Sequence, residues 1–187
     1  MAAHRIAWLA VLLPVRLVLA ESIPPPAYQL VAARAGVPAT VLFAVALQES
    51  GTLLRGQRIP WPWTLNIAGQ GQRYPTRDAA CRGIHKAARQ HALKRIDVGL
   101  GQTNLGHNGA RYSSPCAALD PQQNLIVTAT LLREHYELTG DWVQAAGRYH
   151  RPAGGAIAAR YRAQFQQQLQ QLQQLQASTS PTLESSP

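Results

Sequence analysis

One carboxylate, Glu49, ends an uncharged run that extends from Ala35 to Gln48. The surrounding residues predict a buried helix with Pro38 in its first turn and Gly51 at its end. The partly negative end of such a helix and its apolar neighbours both disfavour a charged carboxylate. A general acid needs a carboxyl that keeps its proton, so Glu49 is a candidate acid. The alternative is an ordinary glutamate in the last turn of a solvated helix.

Polar segments downstream of Glu49 add side chains suited to sugar recognition. Residues 97–104 form a glycine-rich stretch whose two amides offer donors and acceptors for hydroxyls and acetamides. A third amide lies in the first turn of a helix that begins at residue 121, and a tyrosine and a histidine end a short helix before Pro152. Each segment alone has an ordinary structural explanation. The candidates are Gln102, Asn104, Asn124, Tyr149 and His150.

Taken in order, four motifs resemble the soluble lytic transglycosylase domain. They are Glu49-Ser50-Gly51, then Gly99 to Gln102 with Asn104, then Asn124 on a helix, and then Ala145 to His150. The resemblance covers about residues 28–165 and is strongest to the specialised branch that accompanies conjugation, type III and type IV secretion, and pilus systems. Residues 62–66 and 140–150 look like versions found with integrating conjugative elements.

The resemblance implies a lysozyme-like, mainly α (α+β) fold with a small β hairpin or flap, and a peptidoglycan lytic transglycosylase without cofactor. Glu49 would protonate the oxygen of the β-1,4 bond between N-acetylmuramic acid and N-acetylglucosamine. The same group, now ionised, would take the proton of the muramoyl C6 hydroxyl as that oxygen closes on C1, giving a 1,6-anhydro product. Sugar hydrolases usually use two carboxylates. We interpret the other acids of the motifs, Asp97 and Asp120, as loop and cap residues.

The resemblance also implies roles for individual residues. Ser50 would orient Glu49 or touch the glycan. Gln102 and Asn104 would line the sugar groove. Tyr149 would approach Glu49 and either stabilise developing charge or position the substrate. The partners would be peptidoglycan strands and components of a conjugation, secretion or pilus machine, for which the wall is opened locally.

Some residues depart from the family pattern or allow two interpretations. His150 stands where many relatives have Asn, which leaves its role open. Gly101 stands where the family commonly has Met, which would remove an apolar wall of the groove. Asn124 could contact substrate or hydrogen-bond to backbone near the groove. Trp61 and Trp63 could stack on sugars or simply pack in the core or flap.

The elements expected to position these residues are mostly helical. Capping residues and glycine breaks predict helices over 27–35, about 38–50, 77–93, 121–139, 142–149 and from about 156 onward. Residues 61–74 predict a hairpin or extended flap, and residues 97–109 a loop. Residues 28–165 form the predicted domain, and residues 166–187 a glutamine-rich helix extension with a disordered tail. The leucine spacing in that extension also permits docking on the domain or on a partner helix.

Residues 1–20 predict an exported protein. Basic residues precede an apolar stretch, Val18-Leu-Ala20 favours cleavage after Ala20, and residues 21–27 form a linker. Pro14 and Arg16 interrupt the apolar stretch, so membrane tethering by an uncleaved signal is the alternative to a free periplasmic protein. Removing the signal lowers the formal charge from +9 to +7. Export, and a sequence without recognised DNA- or RNA-binding motifs, argue against nucleic acid, and the basic charge suits anionic cell-wall polymer or membrane headgroups.

The two cysteines, Cys81 and Cys116, predict one disulfide in an oxidising compartment. They are too few and too far apart for a structural zinc site, and the histidines lack the spacing of metal ligands. We therefore expect no metal.

Two other functions remain open from the sequence. A muramidase on the same fold would use water and leave a reducing end instead of an anhydro end. A non-catalytic assembly subunit would bind peptidoglycan in the same groove and use the glutamine-rich tail as an adaptor.

Overall fold

The computed structural model describes residues 24–179, so the predicted signal, its cleavage site and residues 180–187 of the tail lie outside the described residues. The helices are α1 Pro26–Ala35, α2 Ala39–Ser50, α3 Arg77–Ala88, α4 Leu105–Asn108, α5 Pro121–Thr139, α6 Trp142–His150 and α7 Gly155–Thr179. The strands are β1 Gly51–Leu54, β2 Gln57–Pro60, β3 Thr64–Ile67, β4 Gln70–Arg73, β5 Ile96–Val98 and β6 Thr103–Asn104. The mainly α, α+β class predicted from the sequence is confirmed.

Local capping signals fix most helix ends where the sequence predicts them. Asp120 Oδ1 accepts a 2.9 Å hydrogen bond from the amide of Gln123, which starts α5. Gly140 ends α5 with a positive φ of 65°. The predicted end of α3 is wrong, because the helix stops at Ala88. No glycine or proline marks that stop.

Two β hairpins flank the acid-bearing helix, and the sequence predicted one of them. The predicted hairpin is β3–β4, which turns through Ala68 and Gly69. The missed hairpin is β1–β2, which turns through Arg55 and Gly56. All four turn residues have positive φ, as two-residue type I′ turns require. Neither pair is the Asn-Gly sequence that usually marks such a turn.

The larger sheet places one polar row on the side of the molecule that carries the candidate site. Its strands follow the order β4-β3-β5-β6, all antiparallel. Asn66 lies directly opposite Asp97, and Asp97 lies opposite Asn104. Ile96 and Val98 are fully buried on the other face. The predicted loop over 97–109 is therefore wrong. Residues 96–98 alternate between the two faces of the sheet, but a strand of three residues next to several glycines is too short to recognise in the sequence.

Two hydrophobic cores share helix α5. The first joins α1, α2, α6 and α7 with one side of α5, and residues 40–47 of α2 are buried in it. The second lies between α3, β3, β5 and Val127 of α5. No single described helix is long and apolar enough to span a membrane, and α1 with α2 pass that test only as a pair bent by 116°. The buried helix predicted around Glu49 is confirmed.

The predicted disulfide between Cys81 and Cys116 is confirmed, with the two Cα atoms 5.2 Å apart. It connects α3 to the short 3-10 helix Pro115–Leu119 that precedes α5. His85 Nε2 lies 3.5 Å from Cys116 Sγ. These three side chains form the closest group of metal-ligand types within residues 24–179, and its two sulfurs are bonded to each other.

The last helix continues past the predicted end of the domain. Phe165, Leu169 and Leu172 of α7 are buried in the first core, and Leu175 is half exposed. The glutamine-rich sequence therefore forms a helix in the described residues, and its apolar stripe packs on the domain itself for most of its length.

Candidate active site

A groove of about 690 Å³ lies where the helical core meets the sheet. The ends of α2 and α6 form one wall, and strands β3 to β6 contribute the other. Five of the six predicted site residues line this groove. They are Glu49, Gln102, Asn104, Tyr149 and His150. The sixth, Ser50, does not.

Glu49 stands in the last turn of α2 with a side chain that is 13% exposed. Its Oε1 accepts a 2.7 Å hydrogen bond from the hydroxyl of Tyr161. Burial, and then the charge of Glu49, raise the pKa of Tyr161 well above its ordinary value. Tyr161 therefore stays a hydrogen-bond donor to this carboxylate across the physiological pH range.

Tyr161, which comes from α7, was not predicted as a site residue from the sequence. A signal was present, because Ala158, Tyr161 and Phe165 recur at helical spacing as one buried stripe. A tyrosine in such a stripe needs a partner for its hydroxyl. The identity of that partner follows only from the docking of α7 on α2.

His150 completes the surroundings of the acid. Its ring stacks on that of Tyr161, with centroids 4.3 Å apart and an angle of 11°. His150 Nδ1 lies 3.6 Å from Glu49 Oε1, a distance suited to an ion pair but long for a hydrogen bond. The contact with Glu49 raises the pKa of His150, and burial partly opposes this rise. His150, whose role the sequence left open, is therefore a charge partner of Glu49.

Asp97 is a second carboxylate in the groove, and its interpretation as a loop residue is wrong. It lies on β5 and lines the groove together with Glu49. Asn66 Nδ2 donates to its Oδ2 at 3.1 Å, and Asn104 Nδ2 donates to its Oδ1 at 2.7 Å. Burial raises the pKa of Asp97, as does the charge of Glu49, and the two amide hydrogen bonds oppose this. Asp120 is a cap residue, as predicted.

The amide of Asn104 is fully used inside the protein. Its Nδ2 donates to Asp97 and to the carbonyl of Lys94 at 2.9 Å. Its Oδ1 accepts from the backbone amides of Gly106 and His107, which caps α4. Since a primary amide has two donors and one acceptor oxygen, none of its hydrogens is left for a sugar. Asn104 lines the groove as predicted, but it acts by holding Asp97.

Gln102 keeps one polar atom for a ligand. Its Nε2 donates to the carbonyls of Thr64 and Gly99 at 3.0 and 2.8 Å. Its Oε1 accepts no hydrogen bond from the residues that the structure describes, and the side chain lines the groove. Gln102 also has a φ of 48°, a conformation that costs a non-glycine residue of order 1 kcal/mol or more. The fixed Oε1 is suited to accept a hydrogen bond from a hydroxyl or acetamide.

Ser50 is completely buried, so it neither touches a ligand nor contacts Glu49 through its hydroxyl. Its Oγ lies 2.9 Å from the carbonyl of Ala46 and 2.8 Å from that of Leu100. The serine therefore ties α2 to the loop that carries Gln102. This corrects the expectation that Ser50 contacts the glycan or orients the acid directly.

Asn124 is structural, which decides between its two interpretations. It is fully buried, and its Oδ1 accepts a 2.8 Å hydrogen bond from the amide of Gly101. Its Nδ2 donates to the carbonyls of Val98 and Ala118 at 2.9 and 3.0 Å. Asn124 thus fixes the backbone of the loop below the groove.

Tyr149 lines the groove beside Glu49, but its hydroxyl donates to the carbonyl of Gly101 at 2.5 Å. Burial, and next the charge of Glu49, raise its pKa well above the ordinary value.

A Cβ atom at Gly101 would overlap Thr128 Oγ1 on α5. The glycine therefore reflects close packing of the loop on α5, and a side chain there would point away from the groove.

The two tryptophans of the flap pack and do not line the groove. Their rings meet edge to face with centroids 5.6 Å apart. Trp61 Nε1 donates to the carbonyl of Tyr74 at 2.8 Å, and Trp63 packs against the second core. The packing interpretation is therefore favoured over stacking on sugars.

A scan against protein-family models finds no match. A search of the curated proteins finds none either.

The geometry of the groove supports acid–base chemistry on a polar ligand. Glu49 lines the groove, with the Tyr161 hydroxyl donating to its carboxylate and the His150 imidazole beside it. Asp97 enters from the sheet wall, held by two amides. Two carboxyl groups that line one groove from different elements are the arrangement that sugar-cleaving enzymes use.

Proposed function

We propose that this protein is a peptidoglycan lytic transglycosylase with Glu49 as its catalytic acid and base. The observation that supports this most is the nearly buried Glu49 carboxyl at the groove, 2.7 Å from the Tyr161 hydroxyl. A glycosidic oxygen is a poor leaving group until it is protonated, and a carboxyl that lines the groove can supply that proton.

The neighbours of Glu49 would serve both halves of the reaction. In the first half, Glu49 gives its proton to the oxygen between N-acetylmuramic acid and N-acetylglucosamine. The resulting carboxylate is stabilised by the Tyr161 hydroxyl and by the imidazolium of His150. In the second half, Glu49 takes the proton of the C6 hydroxyl as its oxygen bonds to C1. The product has a 1,6-anhydro ring, and no water is consumed.

The wider setting is proposed from the order of the motifs and the N-terminal sequence. The motifs resemble the lytic transglycosylases of conjugation, secretion and pilus systems, which have a lysozyme-like fold. The N-terminal residues suit export to the periplasm. We therefore place this enzyme at the cell wall, where it would open peptidoglycan locally for such a machine.

The test is a digest of purified sacculi by the mature protein, analysed by mass spectrometry. We expect muropeptides that are lighter by one water at the muramic acid. Glu49→Gln should lower their release by roughly 10²–10⁴-fold, the usual contribution of a general acid. Glu137→Gln is the matched control, because Glu137 is exposed and, among residues 24–179, pairs only with Arg133 one turn away.

Other outcomes would each change the proposal in a defined way. Cleavage by Glu49→Gln at the wild-type rate would remove Glu49 from the mechanism. Products with reducing ends alone would make the protein a muramidase. Binding to sacculi without any soluble product would make it a non-catalytic assembly subunit with the fold of an enzyme.

A further inference from the structure

The sheet wall of the groove carries a carboxylate that the transglycosylase reaction does not use. Asp97 lines the same groove as Glu49, and the two carboxyl groups interact electrostatically. They come from different walls, since Glu49 ends a helix of the first core and Asp97 lies on a strand over the second. In the transglycosylase reaction Glu49 gives one proton and takes back another from the C6 hydroxyl. No step of that reaction requires a second carboxyl group.

Asp97 is fixed more tightly than an incidental surface acid. Asn66 and Asn104 stand opposite it on both neighbouring strands, and each donates to one of its oxygens. A carboxylate oxygen can accept more than one hydrogen bond, so both oxygens can still accept from a bound water. Since Asn104 is itself saturated by backbone contacts, the whole row is rigid.

Enzymes that hydrolyse sugars with inversion place a base on the face of the ring opposite the acid, with room for a water between. Asp97 is a carboxylate held by two amides, and it lines the groove from a different element than Glu49. We propose that the groove also hydrolyses glycan strands, with Asp97 as the base that activates water. This rests on the proposed role of Glu49 as the acid for the same bond.

The two products then arise from one protonation step. Glu49 gives its proton to the glycosidic oxygen, and the bond from that oxygen to C1 breaks. In the hydrolytic branch, a water oxygen bonds to C1 while Asp97 takes one water proton. The product has a hydroxyl at C1, Glu49 is left ionised, and the proton on Asp97 returns to Glu49 through solvent. In the anhydro branch, the C6 oxygen bonds to C1 and its proton goes to Glu49 directly.

Charged and titratable groups around the groove set the pH range of the hydrolytic branch. They are Glu49 on α2, His150 on α6, His107 on α4, His135 on α5, Arg73 on β4 and Arg151 after α6. Burial, together with the charge of Glu49, raises the pKa of Asp97 above its ordinary value. As pH is lowered, Asp97 is therefore protonated at a higher pH than an exposed aspartate, and a protonated Asp97 cannot act as a base. The share of hydrolysis should fall as pH is lowered.

The experiment digests sacculi in water enriched in oxygen-18 and counts labelled reducing ends against anhydro ends. The wild-type protein should give both, with one heavy oxygen at C1 of the reducing ends. Asp97→Asn should lower the ratio of labelled to anhydro ends by roughly 10²-fold or more. Asp78→Asn should leave the ratio unchanged, because Asp78 is an exposed residue in the first turn of α3.

Two results would overturn the inference. One is a wild-type digest with anhydro ends but no labelled reducing ends. The other is an unchanged ratio in Asp97→Asn. If that variant fails to fold, the wild-type ratio between about pH 4 and pH 7 decides instead, and a ratio independent of pH overturns it. Cleavage by Glu49→Gln would contradict the proposed acid itself, which is a different outcome from either of these.

Discussion

Tyr161 donates a 2.7 Å hydrogen bond to Glu49 although 112 residues separate them in the sequence. The same ring stacks on His150, whose Nδ1 lies 3.6 Å from the same carboxylate oxygen. Three helices therefore meet at one acid, with α2 supplying the carboxyl, α6 the imidazole and α7 the phenol. The proposed chemistry depends on this unit more than on any single motif.

Tyr161→Phe should lower kcat while changing KM little. The substitution keeps the ring and its stack on His150 and removes only the hydroxyl. A hydrogen bond to a charged acceptor contributes about 1.5–3 kcal/mol, so a loss of roughly tenfold or more is expected. Initial rates of muropeptide release measure it.

Tyr136→Phe is the control for that variant. Tyr136 stacks on Trp142 at 4.0 Å, and its hydroxyl makes no hydrogen bond to the described residues. Wild-type kcat in Tyr161→Phe would show that the Tyr161 hydroxyl does not support the acid.

His150→Asn should lower stability most at acid pH. In the folded protein the contact with Glu49 raises the pKa of His150 above its ordinary 6.5. The stabilisation is therefore complete below pH 6.5 and is lost as pH rises through the raised value. The difference in Tm between wild type and variant should shrink between about pH 6 and pH 9.

The Glu49→Gln background provides the control for this prediction. Without the carboxylate, His150→Asn should give a difference in Tm that no longer follows that pH dependence. A difference that grows with pH in the wild-type background would contradict the ion pair.

Gly101→Ala should destabilise the fold by about 1–3 kcal/mol, the usual cost of overpacking. The new methyl group would overlap Thr128 Oγ1 and push the loop that carries Gln102. Urea unfolding measures the change. Gly109→Ala is the matched control, because nothing lies within 4 Å of a Cβ there. Equal stability of the two variants would show that the loop can move off α5 without cost.

Reduction of the disulfide should lower the free energy of unfolding by about 3–4 kcal/mol, as expected for a closed loop of 35 residues. Cys81 and Cys116 do not line the groove, so the reduced protein should still cleave glycan below its lowered Tm. Chemical unfolding with and without reductant measures the difference. The double serine variant should not respond to reductant, and a wild-type protein equally stable in both conditions would refute the role of the bond.

The parts of the fold that the sequence predicted are those specified by neighbouring residues. Asp120 and Pro121 fix the start of α5, and Gly140 fixes its end, without reference to the rest of the chain. The β1–β2 hairpin was missed because Arg55 takes a positive φ, which an arginine in the sequence does not predict. The end of α3 was missed because no residue type marks it.

The candidate site was predicted where one residue carries the chemistry and missed where two distant elements must meet. Glu49 stood out from its local sequence. Asp97 became a groove residue only through pairing of β5 with β3 and β6, which no local pattern encodes. Ser50 and Asn104 belong to the motifs, yet their contacts show that they hold backbone and Asp97 in place.

The docking of α7 makes the surroundings of Glu49 depend on the last helix of the described residues. A partial chain that ends between residues 97 and 161 would contain both carboxylates but not the phenol that contacts the acid. Synthesis proceeds from the N-terminus, so the acid is made early and its partner late. The surroundings of Glu49 are therefore complete only after the final helix has been made and has packed on α2.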